Sequence, residues 1–121
     1  VAYCFEIQGK GLWGSMRALV STSPDLTTIS DFSIVNQIET PGLGARIEED
    51  WFLAQFRDRI FVQNPDADDV TPTYEFIAET QEPENEGQLK RVTGATITSA
   101  AVVRMLKDEF NIIYDQLREP K

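Results

Sequence analysis

Apolar and polar residues alternate along the first twenty positions of the chain, the period-two pattern of β-strands. The pattern predicts strands at residues 2–8 and 12–20, joined at Gly9-Lys10-Gly11 as an antiparallel pair. One face of the second strand is expected to carry four apolar side chains, Leu12, Met16, Ala18 and Val20.

A third strand is predicted at residues 28–38, after a turn at residues 21–25 that contains Pro24. One face of this strand would carry Phe32, Ile34 and Ile38. The segment Pro41-Gly42-Leu43-Gly44 ends the strand, because proline lacks a hydrogen-bond donor and glycine accepts backbone angles that other residues avoid. We therefore expect a structured loop there.

Two helices are predicted, one short and one long. Acidic residues precede the aromatic residues around Trp51 and arginines follow them, an order that suits the helix dipole and predicts a short helix near residues 48–58. Apolar residues then recur every three or four positions, as in a long amphipathic helix: Val102, Leu106, Phe110, Ile113 and Leu117. Thr96, Thr98 or Ser99 would cap it. Residues 74–78 are predicted to form one more strand.

These elements predict the α+β class, with a mostly antiparallel β-sheet packed by a short helix and a long C-terminal amphipathic helix. The 121 residues fit a single domain, residues 1–121. No apolar run approaches the roughly 18 residues that span a bilayer, so no direct membrane insertion by this segment is expected. The chain starts at Val1 without a signal-like region, which leaves open a longer protein with an N-terminal anchor.

Composition restricts the chemistry that the chain can carry. It contains no histidine, which excludes a Ser-His-Asp triad, a Cys-His pair and most transition-metal sites. Its net charge of −9 repels phosphate backbones and argues against nucleic acid as a partner. The single cysteine, Cys4, is expected to pack in the first strand. Chemistry in this chain would therefore come from a bound cofactor.

An acidic segment matches part of a calcium-binding loop pattern, with oxygen-bearing side chains at Asn64, Asp66, Asp68 and Glu75. The sixth position of that loop requires glycine for its sharp turn, and Asp69 stands there. We therefore predict a solvated acidic loop and no metal site.

Hydroxyl groups are concentrated where a loop enters the long helix, in Thr93-Gly94-Ala95-Thr96-Ile97-Thr98-Ser99. Free N–H groups and the helix dipole favour a phosphate at such a position, and Gly94 and Ala95 allow close approach to the backbone. The alternative is an ordinary helix cap with spare hydroxyls.

Two further motifs favour the phosphate site. They are Gly9-Lys10-Gly11-Leu12-Trp13-Gly14 and Glu39-Thr40-Pro41-Gly42-Leu43-Gly44. Together with Thr-Gly-Ala-Thr, these motifs occur in the order and approximate spacing of one family. The chain resembles the FMN-binding domain of the C subunit of sodium-translocating NADH:quinone oxidoreductase and of the related G subunit of the Rnf complex. The resemblance covers nearly the whole chain. Gly-Leu-Trp is more similar to the first of these two proteins, whereas Glu-Thr-Pro-Gly-Leu-Gly is shared by both.

The resemblance implies FMN as the cofactor, with its phosphate esterified to Thr96. A separate magnesium-dependent flavin transferase that uses FAD would attach it. The resemblance also implies other subunits of a membrane redox complex as partners, and a position on the extracytoplasmic face of the cytoplasmic membrane through an anchor absent from this chain. One position departs from the family: Lys90 stands where an acidic residue is usual, three residues before Thr93.

Three segments are thus expected to bind the flavin. Trp13 would form an aromatic wall or else pack in the sheet, and the second loop would close over the ring or else be a plain turn. The predicted cofactor-binding residues are Thr96 as the attachment point, with Thr93, Gly94, Ala95, Ile97, Thr98, Glu39, Thr40, Leu43, Gly44, Leu12 and Trp13.

Three functions are compatible with these motifs. The first is an FMN-binding electron carrier in a membrane-associated respiratory complex, not self-sufficient as an enzyme. The second is a flavin module that feeds a separate reductase. The third is a binding or scaffold domain that has kept the fold and lost the flavin, an alternative that Lys90 keeps open.

Overall fold

The computed structural model describes residues 3–118. Its strands are β1 (Tyr3–Lys10), β2 (Ser15–Thr22), β3 (Thr28–Asn36), β4 (Arg59–Ile60), β5 (Glu75–Ile77) and β6 (Gln88–Lys90). Its helices are a 3-10 helix at Gly44–Glu48, α1 (Asp50–Ala54) and α2 (Thr96–Arg118). The predicted α+β class, a mostly antiparallel sheet with one short and one long helix, is confirmed.

The main sheet has the order β1-β2-β3-β4, and each neighbouring pair is antiparallel. Side chains of β2 alternate between the core and the solvent, so that Met16, Ala18 and Val20 are buried. Helix α2 packs closely against β1, because a Cβ atom on Gly9 would lie 2.9 Å from the Cβ atom of Met105. The strands β5 and β6 form a separate parallel pair.

Aromatic side chains fill the core below the sheet. Phe32 of β3 meets Phe56 edge to face, with 5.4 Å between ring centroids, and Phe52 of α1 meets Phe56 at 5.6 Å. Phe61 stacks on Phe110 of α2 at 5.4 Å. Since all five rings are buried, this cluster joins the sheet, α1 and α2 into one hydrophobic core.

The first hairpin turns later than predicted. β1 continues through Gly9 and Lys10, and the turn is closed by a hydrogen bond of 2.8 Å from the Gly11 N–H to the Gly14 carbonyl. Leu12 therefore lies in the turn and is exposed, so its predicted place beside Met16 was wrong. The first residue of the predicted strand, Ala2, lies outside the described residues.

The third strand ends at Asn36, two residues earlier than predicted, and leaves Ile38 exposed beyond it. The helical segment also differs from the prediction. It is divided between the 3-10 helix and α1, and residues 59–60 pair with β3 as β4. The predicted strand at residues 74–78 is present as β5, but its partner β6 was missed.

The environment of Cys4 is another correction, since its side chain is exposed on β1 and not packed in the core. Cys4 is adjacent to Phe5 and Tyr3, whose rings stack on the other face of the strand. Among the helices within residues 3–118, none has the length and apolar character that a membrane crossing requires.

Candidate functional site

The three sequence motifs meet around one open pocket of about 400 Å³. Its walls come from the turn between β1 and β2, the loop after β3 and the start of α2. The lining residues are Leu12, Trp13, Thr40, Leu43, Gly94, Ala95, Thr96, Ile97 and Thr98. Each of them is a predicted cofactor-binding residue, although the three segments are far apart in sequence. The volume of the pocket suits a small-molecule site, for which about 300–1,000 Å³ is usual.

The Thr-Gly-Ala-Thr segment forms a tight turn into α2. Gly94 has φ of +75°, in the left-handed region that glycine favours, and the Ala95 N–H donates to the Val92 carbonyl at 3.0 Å. Helix α2 then begins at Thr96, directly after Ala95. Because Ala95 has no side-chain oxygen, the first N–H groups of α2 are left to solvent or to a ligand.

The hydroxyl groups of Thr96, Thr98 and Ser99 were predicted to cap α2, but the structure gives them other roles. The Ser99 hydroxyl accepts from the Val92 N–H at 3.1 Å, and the buried Thr98 hydroxyl donates to Glu39 Oε1 at 2.6 Å. Thr96 is exposed, and no hydrogen bond of its side chain to another described residue is present. Thr96 therefore presents a free hydroxyl to the pocket, and the capping prediction was wrong.

A buried carboxylate joins the three segments. Glu39 is 4% exposed, and its Oε1 atom accepts from the Leu12 N–H at 2.7 Å as well as from Thr98. Its Oε2 atom accepts from the Trp13 N–H at 3.0 Å. Glu39 and Gly44 were predicted to contact the cofactor, but they lie behind the pocket wall and do not line it.

A second carboxylate holds the other end of the Thr-Gly-Ala-Thr segment. Glu79 accepts from the Thr93 N–H at 3.0 Å and pairs with Arg46 of the 3-10 helix at 2.6 Å. The Arg46 guanidinium, followed by the Thr93 N–H, lowers the pKa of the Glu79 carboxyl to about 2. Thr93 thus anchors the loop through its backbone and, like Glu39, does not line the pocket.

Lys90 lies outside this pocket. Its ammonium group is 5.8 Å from the centre of the Trp51 ring, and its backbone N–H and carbonyl are both bound by the Gln55 side chain, at 2.6 and 3.0 Å. The contacts of Lys90 are thus with Trp51 and Gln55, and its positive charge lies over an aromatic ring.

Large apolar side chains surround the pocket and are exposed. Trp13 has 65% of its surface exposed and Ile97 has 58%; Leu12 and Leu43 are also exposed. No lysine, arginine or histidine is among the lining residues. The site thus combines apolar walls with backbone N–H groups and hydroxyls, and none of the described residues that line it carries a positive charge to neutralise a phosphate.

A larger depression of about 480 Å³ lies elsewhere, around Arg59 and Tyr74. The Arg59 guanidinium is already bound to the carbonyls of Gln55 and Glu86 and lies over the Tyr74 ring, and the Tyr74 hydroxyl donates to the Ile60 carbonyl. The Arg59 guanidinium and the Tyr74 hydroxyl are thus already bonded, so size alone does not make this depression the better candidate.

Several residues that shape the site were missed by sequence reasoning. Glu79 and Arg46 hold the loop at Thr93, and Gly11 makes room for Glu39. Gly11 belongs to a recognised motif and could have been identified there. Glu79 lies in an acidic, proline-containing stretch, where nothing in the sequence distinguishes it from its exposed neighbours.

The chain is similar to several known proteins. Residues 11–110 match a family model described as FMN-binding domain. The chain is 38% identical over 108 residues to the G subunit of the proton-translocating ferredoxin:NAD(+) oxidoreductase complex of Clostridium ljungdahlii, over 89% of this chain and 51% of that protein. It is 32% identical over 99 residues to the C subunit of the Na(+)-translocating NADH-quinone reductase of Pasteurella multocida, over 82% and 36%.

A solved structure is similar as well. The C subunit of the Na(+)-translocating NADH-quinone reductase from Parabacteroides distasonis superimposes with a TM-score of 0.76 at 25% identity, over 99% of this chain and 58% of that chain. The chain spans about half the length of the G subunits that it matches, since the protein from Methanosarcina acetivorans is covered over 53%.

Proposed function

Because the chain belongs to the FMN-binding domain family, with FMN as its cofactor, we propose that it is an electron-transfer domain of a membrane-associated redox complex. The single observation that carries the proposal is that the three family motifs, separated in sequence, line one pocket in the structure. FMN supplies the redox chemistry when it is bound. The protein supplies position, exclusion of water and hydrogen bonds.

The residues present fit FMN. Leu12, Trp13 and Leu43 offer apolar surface for an isoalloxazine ring, and the start of α2 offers N–H groups for a phosphate. Gly94 allows the ligand to approach the backbone closely, because it has no side chain on the outside of the turn. Ring and phosphate would thus be held by different walls of one pocket.

The proposed attachment point is the Thr96 hydroxyl. It is exposed and lines the pocket, whereas the neighbouring Thr98 hydroxyl is buried and bound to Glu39. In the proposed step, Thr96 Oγ1 forms a bond to the flavin phosphorus of FAD, the bond between the two phosphates breaks, and AMP leaves. The proton of the hydroxyl is released to solvent.

An ester bond would also keep the flavin phosphate in a pocket whose electrostatics disfavour a free phosphate. None of the described residues that line the pocket is a cation, and the chain carries a net charge of −9, so a free phosphate dianion is repelled over a long range. Covalent attachment replaces that weak equilibrium with a fixed local concentration. The flavin would then stay in place between turnovers.

The partners follow from the same proposal. They are the other subunits of the redox complex and a flavin transferase, and the domain spanning residues 1–121 would face the extracytoplasmic side of the membrane. The names of the relatives from Clostridium ljungdahlii and Pasteurella multocida, each a subunit of an ion-translocating complex, support membership of such a complex.

The attachment site is tested with Thr96→Ala, coexpressed with a flavin transferase. We expect loss of the flavin mass increment and of the yellow colour that remains after denaturation, because alanine has no oxygen for the ester. Far-ultraviolet circular dichroism should stay as in the parent, since Thr96 is exposed.

The matched control is Thr40→Ala, which removes another hydroxyl from the pocket lining. This variant should still gain the full flavin mass. A full increment in Thr96→Ala would refute the assignment. If the parent gains no flavin with transferase and binds no free FMN, the flavin-free scaffold is the correct function.

A further inference from the structure

The Glu39 carboxylate stands out among the buried polar groups of this chain. It is 4% exposed and accepts three hydrogen bonds, from the Leu12 N–H, the Trp13 N–H and the Thr98 hydroxyl, at 2.7, 3.0 and 2.6 Å. The first two donors belong to the β1–β2 turn and the third belongs to α2. One side chain therefore joins two walls of the pocket without contacting its interior.

The surroundings of Glu39 are built for this contact. A Cβ atom on Gly11 would lie 2.5 Å from Glu39 Oε1, and one on Gly44 would lie 2.8 Å from Glu39 Cβ and 2.9 Å from Thr98 Oγ1. Any other residue at either position would push the carboxylate away from its donors. Glycine at both positions thus has a steric reason that is separate from backbone flexibility.

The turn from Gly11 to Gly14 depends on these bonds. Its own closing hydrogen bond joins Gly11 to Gly14, and the two amides between them donate to Glu39. Leu12 and Trp13 expose large apolar side chains, which do not anchor the turn by burial. The Glu39 carboxylate therefore holds this wall of the pocket through both of its central amides.

We infer that Glu39 is a positioning residue, which holds Leu12 and Trp13 against the first turn of α2 so that the flavin pocket exists before the flavin arrives. This rests on the proposed function, because it assigns Glu39 a part in flavin binding. The residue acts through the backbone amides and does not touch the cofactor.

The test is Glu39→Gln, which keeps the side-chain shape but presents an NH₂ group where one of the oxygens accepted hydrogen bonds. Amide hydrogen exchange at Leu12 and Trp13 should accelerate at least about tenfold, since hydrogen bonds to charged groups are the stronger ones. The dissociation constant for free FMN, measured by fluorescence quenching without a transferase, should rise about tenfold or more. Exchange in the middle of α2 should stay as in the parent.

The matched control is Glu75→Gln, the same change at an exposed glutamate whose side chain bonds only Gln88 among the described residues. It should leave both the exchange at Leu12 and Trp13 and the FMN affinity unaltered. Thr98→Val removes the link to α2 while leaving both amide bonds, so FMN affinity should fall with little change in exchange at the turn. Thr98→Ser should restore the affinity.

Three results would overturn the inference. One is parent-like exchange at Leu12 and Trp13 in Glu39→Gln, and another is acceleration spread evenly over the chain, which marks a general loss of stability. The third is unchanged FMN affinity despite faster exchange at the turn. If Glu39→Gln does not fold, Glu39→Asp takes its place in the same exchange and affinity measurements, because the shorter side chain draws the carboxylate away from the Leu12 and Trp13 amides. A parent that gains no flavin with a transferase and binds no free FMN would refute the proposed function, whereas the exchange data would still show whether Glu39 positions the turn.

Discussion

Two sets of large apolar side chains in this molecule differ in their exposure to solvent. The first is the aromatic cluster of the core, in which Phe32, Phe52 and Phe56 are fully buried. The second surrounds the pocket, where Trp13 and Ile97 have more than half of their surface exposed. Burial makes the first set a source of folding free energy, and exposure leaves the second set with little part in it.

The difference shows how this small domain separates stability from binding. The core is sealed by contacts between apolar groups, whereas the pocket walls are held by polar anchors behind them, Glu39 on one side and Glu79 on the other. The exposed apolar surface is thereby available for a ligand. Substitutions should affect either stability or flavin binding, according to the set that they touch.

The largest effect on stability is expected from Phe32→Ala. This ring is fully buried in β3 and meets Phe56 edge to face at 5.4 Å. Its removal should lower the free energy of unfolding by about 3–5 kcal/mol, as for other core phenylalanines. Urea denaturation measures this. Val35→Ala, at a half-exposed position of the same strand, should cost far less.

The separation of stability from flavin binding would be contradicted if the folded fraction of Phe32→Ala bound FMN much more weakly than the parent. A fluorescence titration at low temperature, where most of the variant remains folded, decides this. We expect a dissociation constant close to that of the parent.

A pair of glycines provides an intermediate effect with an internal control. Gly94 and Gly42 have nearly the same φ, +75° and +77°, so alanine should cost each position about 1–2 kcal/mol of backbone strain. Their surroundings differ: a Cβ atom on Gly94 would lie 3.0 Å from Leu43 Cδ2, whereas one on Gly42 would meet nothing within 4 Å. Both variants should lose similar stability in urea.

Only Gly94→Ala should also impair flavin binding and attachment, because its new methyl group displaces Leu43 at the pocket wall. The flavin mass increment after coexpression with a transferase and the affinity for free FMN are the measurements. Equal impairment in Gly42→Ala would show that the backbone strain, and not the contact with Leu43, is responsible.

The sequence predicted the long helix well, since its apolar spacing is local and α2 includes all of the repeating positions. Short elements were less predictable. β4 and β6 have two and three residues, too few for a periodic pattern, and exist because β3 and β5 pair with them. The boundaries of β1 and β2 moved because the turn is set by Glu39, a residue beyond the hairpin.

In the candidate site, too, sequence predicted what is local and missed what depends on distant contacts. Motifs identified the lining residues, such as Thr96, Leu43 and Trp13, because each motif is continuous in sequence. The anchors depend on distant contacts: Glu79 meets Thr93 only through the fold, and Glu39 faces away from the pocket that its motif helps to form. The order and spacing of the motif residues along the chain do not show which of them contact a ligand and which support the others.

The smallest effect on stability, and the sharpest test of the comparison, is expected from Trp13→Ala. Trp13 is the most exposed of the large apolar side chains around the pocket, at 65%, so its removal should change the free energy of unfolding by less than about 0.5 kcal/mol. FMN affinity should nevertheless fall about fivefold, because an aromatic contact with the ring contributes on the order of 1 kcal/mol. Ile60→Ala is the control, since Ile60 is exposed to a similar extent but lines the other depression, and it should leave FMN affinity unchanged. A stability loss above about 1 kcal/mol in Trp13→Ala, with parent-like FMN binding, would place Trp13 with the structural aromatic residues. Leu12 and Leu43 would then be the remaining apolar contacts for the flavin ring in this pocket.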